Sequence, residues 1–178
     1  MENKEHKKEK TFDLKKEIRE WFFILLTAAG IALFLNTFII ANSRVPSNSM
    51  ETTIMTGDRI IGSRLAYITG DPQRGDIVIF NHKIDTSGKE TRLVKRVIGL
   101  PGETVDIVDG KVYINDSDTP LDEPYLPEPM EGSYGPYTVP EGCYFMMGDN
   151  RNNSLDARFW KNQFVPKKDI MAKVLFCY

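Results

Sequence analysis

An uncharged apolar run near the N-terminus places the strongest constraint on how this chain folds. The 21 residues from Trp21 to Ala41 contain no charged side chain. A helix of that length spans about 31 Å, which matches the hydrocarbon core of a bilayer. A cleavable signal peptide would have a shorter apolar region followed directly by a small-x-small site, and Ile39–Ser43 makes a poor site of that kind. The run therefore predicts one N-terminal transmembrane helix over residues 21–41.

Basic residues flank this run unequally, and their distribution predicts its orientation. Residues 1–20 contain seven Lys or Arg and six Asp or Glu, whereas only three arginines lie within a similar distance after the run. Basic residues favour the cytoplasmic side of a membrane. We therefore expect residues 1–20 to be a charged cytoplasmic tail and residues 42–178 to be an extracytoplasmic domain. A single span would hold that domain at the phospholipid bilayer of the cell membrane.

Residues 42–178 contain short runs rich in β-branched residues and bounded by Gly, Pro and Asp, a pattern typical of β-strands. These runs are 59–65, 76–80, 91–98, 105–108, 111–114, 143–147 and 170–178. Asp109-Gly110 between two of them is a strong hairpin signal. Six prolines between residues 116 and 142 predict a long extended or looping excursion. The expected fold class is mainly β: an antiparallel sheet or barrel-like catalytic domain after one N-terminal transmembrane helix.

Charge and cysteine content narrow the classes of partner and cofactor. The net charge is −2 and no basic block follows the apolar run, so nucleic acid is not an expected partner. Cys143 and Cys177 are too few for a disulfide framework or a four-ligand zinc site. A single disulfide between them stays open, because sequence does not give their separation. We expect neither a metal nor another cofactor, and the oligomeric state is not predicted.

Val45–Ile54, which reads Val-Pro-Ser-Asn-Ser-Met-Glu-Thr-Thr-Ile, contains the candidate nucleophile. Ser47 and Ser49 flank one small residue, and Pro46 stiffens the approach to them. Serines clustered with Pro and Asn usually form only a turn. Whether Ser49 is a nucleophile held near a membrane surface therefore depends on the rest of the chain.

Lys95 is the candidate general base. His82 is the only histidine after residue 42, and its place between a strand and a charged turn favours a polar surface residue. In a strand, Lys95 shares a face with Leu93 and Val97, and burial there would lower its pKa. A drop of about 2–3 units from about 10.4 makes a competent base. The alternative is a lysine that covers apolar surface with its stem and keeps its ammonium in water.

The third segment, Gly148–Arg158, combines turn formers, a serine, acids and arginines directly after a strand. Asp149 and Arg151 are two residues apart, as are Asp156 and Arg158. We expect each acid to bind its arginine bidentately and so fix the loop. Ser154 would then hydrogen-bond a neutral amine. The alternative is an ordinary polar loop with local ion pairs.

Together these segments resemble the bacterial type I signal peptidases, membrane-anchored serine proteases that use a Ser/Lys dyad. The resemblance covers nearly the whole chain: the apolar run, residues 46–50, residues 95–103 and residues 148–158. The endoplasmic-reticulum branch has histidine where Lys95 stands, so the resemblance is to the bacterial type. It implies an endopeptidase that removes signal peptides from exported preproteins, cleaving after small-x-small motifs through an acyl-enzyme.

The resemblance also implies roles for individual residues. Ser49 would be the nucleophile and Lys95 the general base, with the Ser47 hydroxyl and the Ser49 backbone N–H forming the oxyanion hole. Ser154 would orient Lys95. The implied supporting residues are Asp149, Arg151, Asp156 and Arg158. The implied substrate-binding residues are Arg92, Leu93 and Val94 on a sheet edge, and Val45, Met50 and Ile54 near a pocket for small side chains.

Three positions depart from the family pattern. Thr52 stands where the family usually has proline, Asn152 replaces an aspartate, and Lys161 stands where glycine is common. No catalytic group is lost, but the rigidity of the loop around Ser49 is in question. Two alternatives stay open: a related Ser/Lys protease for a pilin-like or spore-specific leader, and an inactive membrane-anchored β-domain that binds exported peptides.

Overall fold

The computed structural model describes residues 14–178, which fall into two compact units that meet between Thr37 and Phe38. Most of the expected cytoplasmic tail, residues 1–13, lies outside the described residues. Helix α1 spans Leu14–Phe34 and continues as a π-helical turn over Leu35–Ile39. Among the described residues, this 26-residue helix alone is long and apolar enough to cross a membrane, with a mean hydropathy of 2.2. The helix is therefore compatible with membrane anchoring.

The helical run ends two residues earlier than the predicted limit of Ala41. Ile40 and Ala41 already belong to a strand, where they pair with Ser63 and Gly62. The apolar run therefore forms parts of two elements. Most of it is helical, and its last two residues pair with another strand. Hydropathy alone does not show this change, because a buried strand and a lipid-facing helix are equally apolar.

Within residues 14–178, ten strands form two antiparallel sheets, which confirms the mainly β fold. The strands are β1 Ile40–Arg44, β2 Arg59–Ser63, β3 Ile77–His82, β4 Thr91–Gly99, β5 Thr104–Val108, β6 Lys111–Ile114, β7 Tyr134–Thr138, β8 Cys143–Met147, β9 Phe164–Pro166 and β10 Ile170–Cys177. The larger sheet has the order β1-β2-β10-β3-β4-β8-β9, and the smaller has the order β6-β5-β7. Both cysteines are free.

The predicted hairpin is confirmed, whereas three strands were not predicted. Asp109 and Gly110 join β5 to β6 with φ values of 49° and 77°, as a two-residue type I′ turn requires. The first two residues of β1 are the last two of the apolar run, so hydropathy did not reveal this strand. Strand β9 has only three residues. Strand β7 contains Pro136 but lies at the edge of the smaller sheet, where a proline removes no ladder hydrogen bond.

Two apolar clusters form the core of the β unit. The larger joins the sheets, since it includes Val78 and Val97 from the seven-stranded sheet and Val105 and Val112 from the three-stranded one. The smaller cluster comprises Ala41, Val45, Met50, Ile54, Ile60, Ile79 and Ala172. Three of its members belong to the loop between β1 and β2. That loop carries Ser49, so burial of apolar side chains anchors the candidate nucleophile.

Candidate active site

Ser49 lies in the loop between β1 and β2, and only 7% of its surface is exposed. The backbone of Val45 bonds to both Asp58 and Gly57, at 2.9 and 2.8 Å, which closes the loop at its base. Ser49 Oγ lies 3.4 Å from Ser47 Oγ, within hydrogen-bond distance. The two hydroxyls that the sequence pattern singled out are therefore neighbours.

Residues at the end of β8 hold this loop from the other side. The backbone N–H of Asn150 donates to the Ser49 carbonyl at 3.1 Å, and its side-chain amide donates to the Asn48 carbonyl at 3.0 Å. The Thr53 hydroxyl donates to Asp149 Oδ2 at 2.6 Å. The loop is thus fixed by hydrogen bonds on both sides of Thr52, where the usual proline is absent.

Lys95 lies on β4 and is only 3% exposed, which favours the buried lysine over the alternative with its ammonium in water. Its Nζ donates to Ser154 Oγ at 3.2 Å. Burial lowers the pKa of Lys95 from 10.5 to about 8; Asp156 and Asp149 oppose this shift, and Arg158 adds to it. In the part of the chain that the structure describes, no carboxylate forms an ion pair with Lys95. Near pH 8, half of the Lys95 side chains are therefore neutral.

Ser49 and Lys95 line the same cavity of ≈ 380 Å³. The residues around it come from the end of β1, the following loop and β4: Ser43, Arg44, Val45, Pro46, Ser47, Ser49 and 91–95. A second cavity shares Ser47, Ser49, Leu93 and Lys95 and adds Ile84, Asn153, Leu155 and Trp160. Across residues 14–178, no hydrogen bond joins Ser49 Oγ directly to Lys95 Nζ. Catalytic hydrogen bonds are often long without substrate and shorten when it binds.

Strand β4 presents a free edge to this cavity. It pairs with β3 from Thr91 to Arg96 but with β8 only from Arg96 onward. In the described chain, residues 91–95 therefore have no strand partner on the β8 side. A free edge of this kind can take an extended peptide as an added strand.

The implied substrate-binding residues divide into two groups. Val45, Arg92, Leu93 and Val94 line the cavity. Met50 and Ile54 instead belong to the apolar cluster beneath the Ser49 loop and are almost fully buried. These two therefore support the pocket from below rather than form its wall.

The acid–arginine pairs differ in part from the prediction. Asp156 and Arg158 form the expected bidentate pair, with bonds of 2.8 and 2.9 Å. The predicted Asp149–Arg151 pair is wrong. Asp149 binds Arg96 of β4 at 2.8 and 2.5 Å, so Arg96 is buried beside an acid. This pair joins β4 to the segment after β8.

Arg151 binds an acid in the proline-rich excursion. Its guanidinium contacts Glu123 at 2.6 and 3.0 Å, and Arg151 is the first residue of a 3₁₀ turn that ends at Asn153. Tyr125 donates to the same glutamate at 2.7 Å and lies under the Arg96 guanidinium, 3.8 Å from the ring centre. Arg151 and Arg96 therefore both bind the proline-rich excursion, which they connect to the site.

At Gly148 the segment after β8 passes very close to the loop that carries Ser49. Its N–H donates to Asp156 Oδ2 at 3.1 Å, and its carbonyl accepts from Arg151 Nε at 3.0 Å. A Cβ atom here would overlap both the Ser154 hydroxyl and the Ser49 carbonyl oxygen. A residue without a side chain thus lets these two serines approach. Sequence reasoning gave no role to Gly148, Arg96 or Glu123.

His82 is not the surface residue that its sequence context predicted. It is 5% exposed, packs against Trp160 with ring centres 5.1 Å apart, and its Nε2 lies 2.6 Å from the Asn162 carbonyl. Neither cavity that contains Ser49 includes His82 among its lining residues. This position does not suit a base for Ser49.

Comparisons with known proteins match most of the chain. The family described as signal peptidase, peptidase S26, matches residues 18–178. A probable signal peptidase I-2 from Synechocystis sp. is 39% identical over 151 residues, which cover 84% of this chain and 67% of the relative. Signal peptidase I P of Bacillus subtilis subsp. natto is 36% identical over 181 residues, which cover 96% and 94% of the two chains.

A solved structure also matches. The crystal structure of a signal peptidase I from Enterococcus faecalis V583 is 35% identical, has a TM-score of 0.47, and covers 60% of this chain and 98% of its own. The match of the family over residues 18–178 defines the class, a serine protease of the signal peptidase I type. The chain belongs to the signal peptidase family, peptidase S26.

Proposed function

We propose that this chain removes signal peptides from exported preproteins, with Ser49 as nucleophile and Lys95 as general base. One observation carries the proposal: Lys95, which is buried and has no carboxylate partner among the described residues, lines the same cavity as the buried Ser49, and burial lowers the pKa of Lys95 to about 8. Family membership supports the reaction class. It also favours a protease over the alternative of an inactive peptide-binding domain.

The reaction begins when neutral Lys95 accepts the proton of Ser49 Oγ. The oxygen then attacks the carbonyl carbon before the scissile bond and forms a tetrahedral intermediate. The Ser49 backbone N–H and the Ser47 hydroxyl stabilise its oxyanion, and each such donor contributes about 3–4 kcal/mol. The Lys95 ammonium gives its proton to the leaving amine as the peptide bond breaks. Water, deprotonated by neutral Lys95, then hydrolyses the ester and restores Ser49.

Supporting residues place the two reacting groups. Ser154 Oγ accepts a hydrogen bond from Lys95 Nζ, which leaves the nitrogen lone pair of the neutral amine free to point elsewhere in the cavity. The Asp156–Arg158 pair holds the Ser154 segment, and the Asp149–Arg96 pair ties that segment to β4. The roles of Asp149 and Arg151 are structural in this proposal.

The substrate would bind as an added strand along residues 91–95 of β4. Its last residues, in a small-x-small pattern, would face the cavity beside Ser49, where Val45 and Leu93 limit the space. The main chain of the free edge would supply the hydrogen bonds, so that recognition depends on shape more than on side-chain chemistry.

We also propose the topology that the charge pattern predicts. Helix α1 crosses the cell membrane with its N-terminal end in the cytoplasm, and residues 42–178 form an extracytoplasmic catalytic domain. The apolar character of the helix and the excess of basic residues before it support this orientation. An anchored protease meets preproteins whose own apolar stretch is still in the bilayer.

Cleavage of a preprotein with an Ala-x-Ala site tests the proposal. The full chain in detergent would be compared with Ser49→Ala and Lys95→Ala, and with the matched controls Ser117→Ala and Lys111→Ala, which change exposed residues outside the cavity. We expect wild type and controls to cut, and both site variants to lose at least about 10⁴-fold in kcat/KM. Full activity of either site variant would contradict the dyad. A substrate with a pilin-like leader, assayed alongside, distinguishes a general from a specialised peptidase.

A further inference from the structure

The walls around Ser49 and Lys95 carry charges of only one sign. Arg44 at the end of β1 and Arg92 on β4 both line the larger cavity, and both are exposed. Among the residues that the structure describes, no aspartate or glutamate lines either of the two cavities. Strands β1 and β4 are separated by three strands in the sheet order, so the sheet curls to bring these two arginines to one cavity.

Neither arginine is neutralised within the described chain. None of the salt bridges of residues 14–178 includes Arg44 or Arg92. The side chain of Arg92 has one hydrogen bond, a long one of 3.5 Å to Asn81 Oδ1. The other arginines around the site, at positions 96, 151 and 158, each bind a carboxylate bidentately. The two cavity arginines are therefore available to an anion from outside the chain.

A third arginine, Arg59, adds to this positive charge and destabilises the pairing of β1 with β2. Arg44 lies directly opposite Arg59 in the β1–β2 ladder, and the two line an adjoining cavity with Asn42, Ser43 and Gly57. Like charges directly opposite each other in an antiparallel pair destabilise it. Neither arginine forms an ion pair in the described chain, so the fold gains nothing from this placement. An anionic ligand would offset the repulsion.

The position of Arg92 relates this charge to the scissile bond. Arg92 precedes Lys95 by three residues, about 10 Å along an extended strand. If the substrate lies along β4 as proposed above, the residue beside Lys95 is next to the scissile bond. The residue beside Arg92 is then about three positions further from that bond, on the signal-peptide side.

We propose that Arg44 and Arg92 form a subsite that prefers an acidic side chain in the preprotein, three to five residues before the scissile bond, and disfavours a basic one. This subsite rests on the proposed function of the cavity. It selects among preproteins that share the same small-x-small ending. The exposed ion pair makes the preference modest and sensitive to salt.

The test uses three preproteins that differ only in Glu, Gln or Lys at the fourth residue before the scissile bond, cut by the full chain in neutral detergent. We expect kcat/KM for the Glu substrate to exceed that for the Lys substrate about tenfold at low salt, because attraction and repulsion both contribute. In 1 M salt the ratio should fall towards one. Equal rates for all three substrates at low salt would overturn the subsite.

Variants identify the residues responsible. Arg44→Gln and Arg92→Gln should each reduce the Glu-to-Lys ratio, the double variant should bring it to about one, and Arg92→Glu should invert it. Lys111→Gln, on β6 of the other sheet, makes the same change in net charge and should keep the wild-type ratio. If the double variant keeps that ratio, the assignment is wrong.

The neutral substrate separates this proposal from the proposed function. If wild type does not cut the Gln substrate, the peptidase proposal itself fails. If it cuts all three substrates equally, only the subsite fails. A lipid-binding role for the arginines would give a third pattern: the double variant would lose activity equally on all three substrates in vesicles with anionic lipid, without any charge preference. That pattern would also overturn the subsite.

Discussion

Two buried sites in this molecule hold cations in opposite ways. Arg158 is buried against Asp156, and the two form a bidentate pair that also accepts the Gly148 N–H. Lys95 is equally buried, but in the described chain its ammonium contacts only a hydroxyl. The paired arginine fixes a loop, whereas burial lowers the pKa of the unpaired lysine to about 8. The difference shows that burial lowers the pKa of a cation most effectively where no carboxylate pairs with it.

Removing each cation should therefore have opposite effects on stability. Arg158→Met leaves Asp156 buried without its partner, which costs about 3–5 kcal/mol. Lys95→Met removes an ammonium whose lowered pKa corresponds to about 3 kcal/mol of destabilisation at neutral pH, so this variant should gain up to that amount. Both should lose activity. Thermal unfolding of the full chain, followed by circular dichroism, measures the difference.

The stability that Lys95→Met gains should decrease as the pH rises. Between pH 8 and 10.5 the unfolded chain binds more protons at Lys95 than the folded chain does. The destabilisation by Lys95 is therefore complete below pH 8 and disappears as the pH rises to 10.5. The advantage of Lys95→Met should shrink over the same range. An advantage that is independent of pH would mean that Lys95 is not desolvated in the folded protein.

Gly148 should be the next most sensitive position, because it contacts both the Asp156–Arg158 pair and the loop that carries Ser49. In Gly148→Ala the new methyl group would overlap Ser154 and Ser49 and push the two apart. We expect a loss of about 10²-fold in kcat, since small displacements of reacting groups have effects of that size. Gly70→Ala is the matched control, because neither glycine has a positive φ and the atom nearest to the new Cβ at Gly70, the Ala66 carbonyl oxygen, is 3.4 Å away. Equal losses in both variants would contradict the account.

A smaller effect is expected at Thr53, whose hydroxyl joins the loop that carries Ser49 to Asp149. Thr53→Val removes the hydroxyl that donates to Asp149 and preserves the shape of the side chain. The loss should be about 1–2 kcal/mol in stability and only a few-fold in kcat/KM, because the two bonds from Asn150 remain. Thr52→Val, one residue earlier and exposed, is the control. A loss above 100-fold would show that Thr53 acts in the reaction itself.

Sequence could predict the features that depend on local pattern. The strand of Lys95, its apolar face and the Asp109-Gly110 turn follow from periodicity and turn chemistry. The pairing of Asp156 with Arg158 was also predicted, since the two are neighbours in the chain. The apolar face of β4 left the burial of Lys95 open, and the structure shows that the side chain is buried.

Features that depend on distant partners could not be predicted. Asp149 and Arg96 are 53 residues apart, and Arg151 and Glu123 are 28 apart. Spacing suggested the nearer Asp149–Arg151 pair, because nothing in the local sequence shows that Arg151 binds Glu123 instead. Burial of His82 was missed for the same reason, since Trp160 and Asn162 come from another part of the chain.

Titration of Lys95 tests the central claim most directly. In the full chain with lysine side chains labelled for NMR, the Lys95 signal can be assigned by its loss in Lys95→Arg, and exposed Lys111 serves as the reference. We predict that the Lys95 signal titrates near pH 8, well below the ordinary lysine value of about 10.4. If Lys95 also titrates near the ordinary value, it is charged at neutral pH and cannot be the base that activates Ser49.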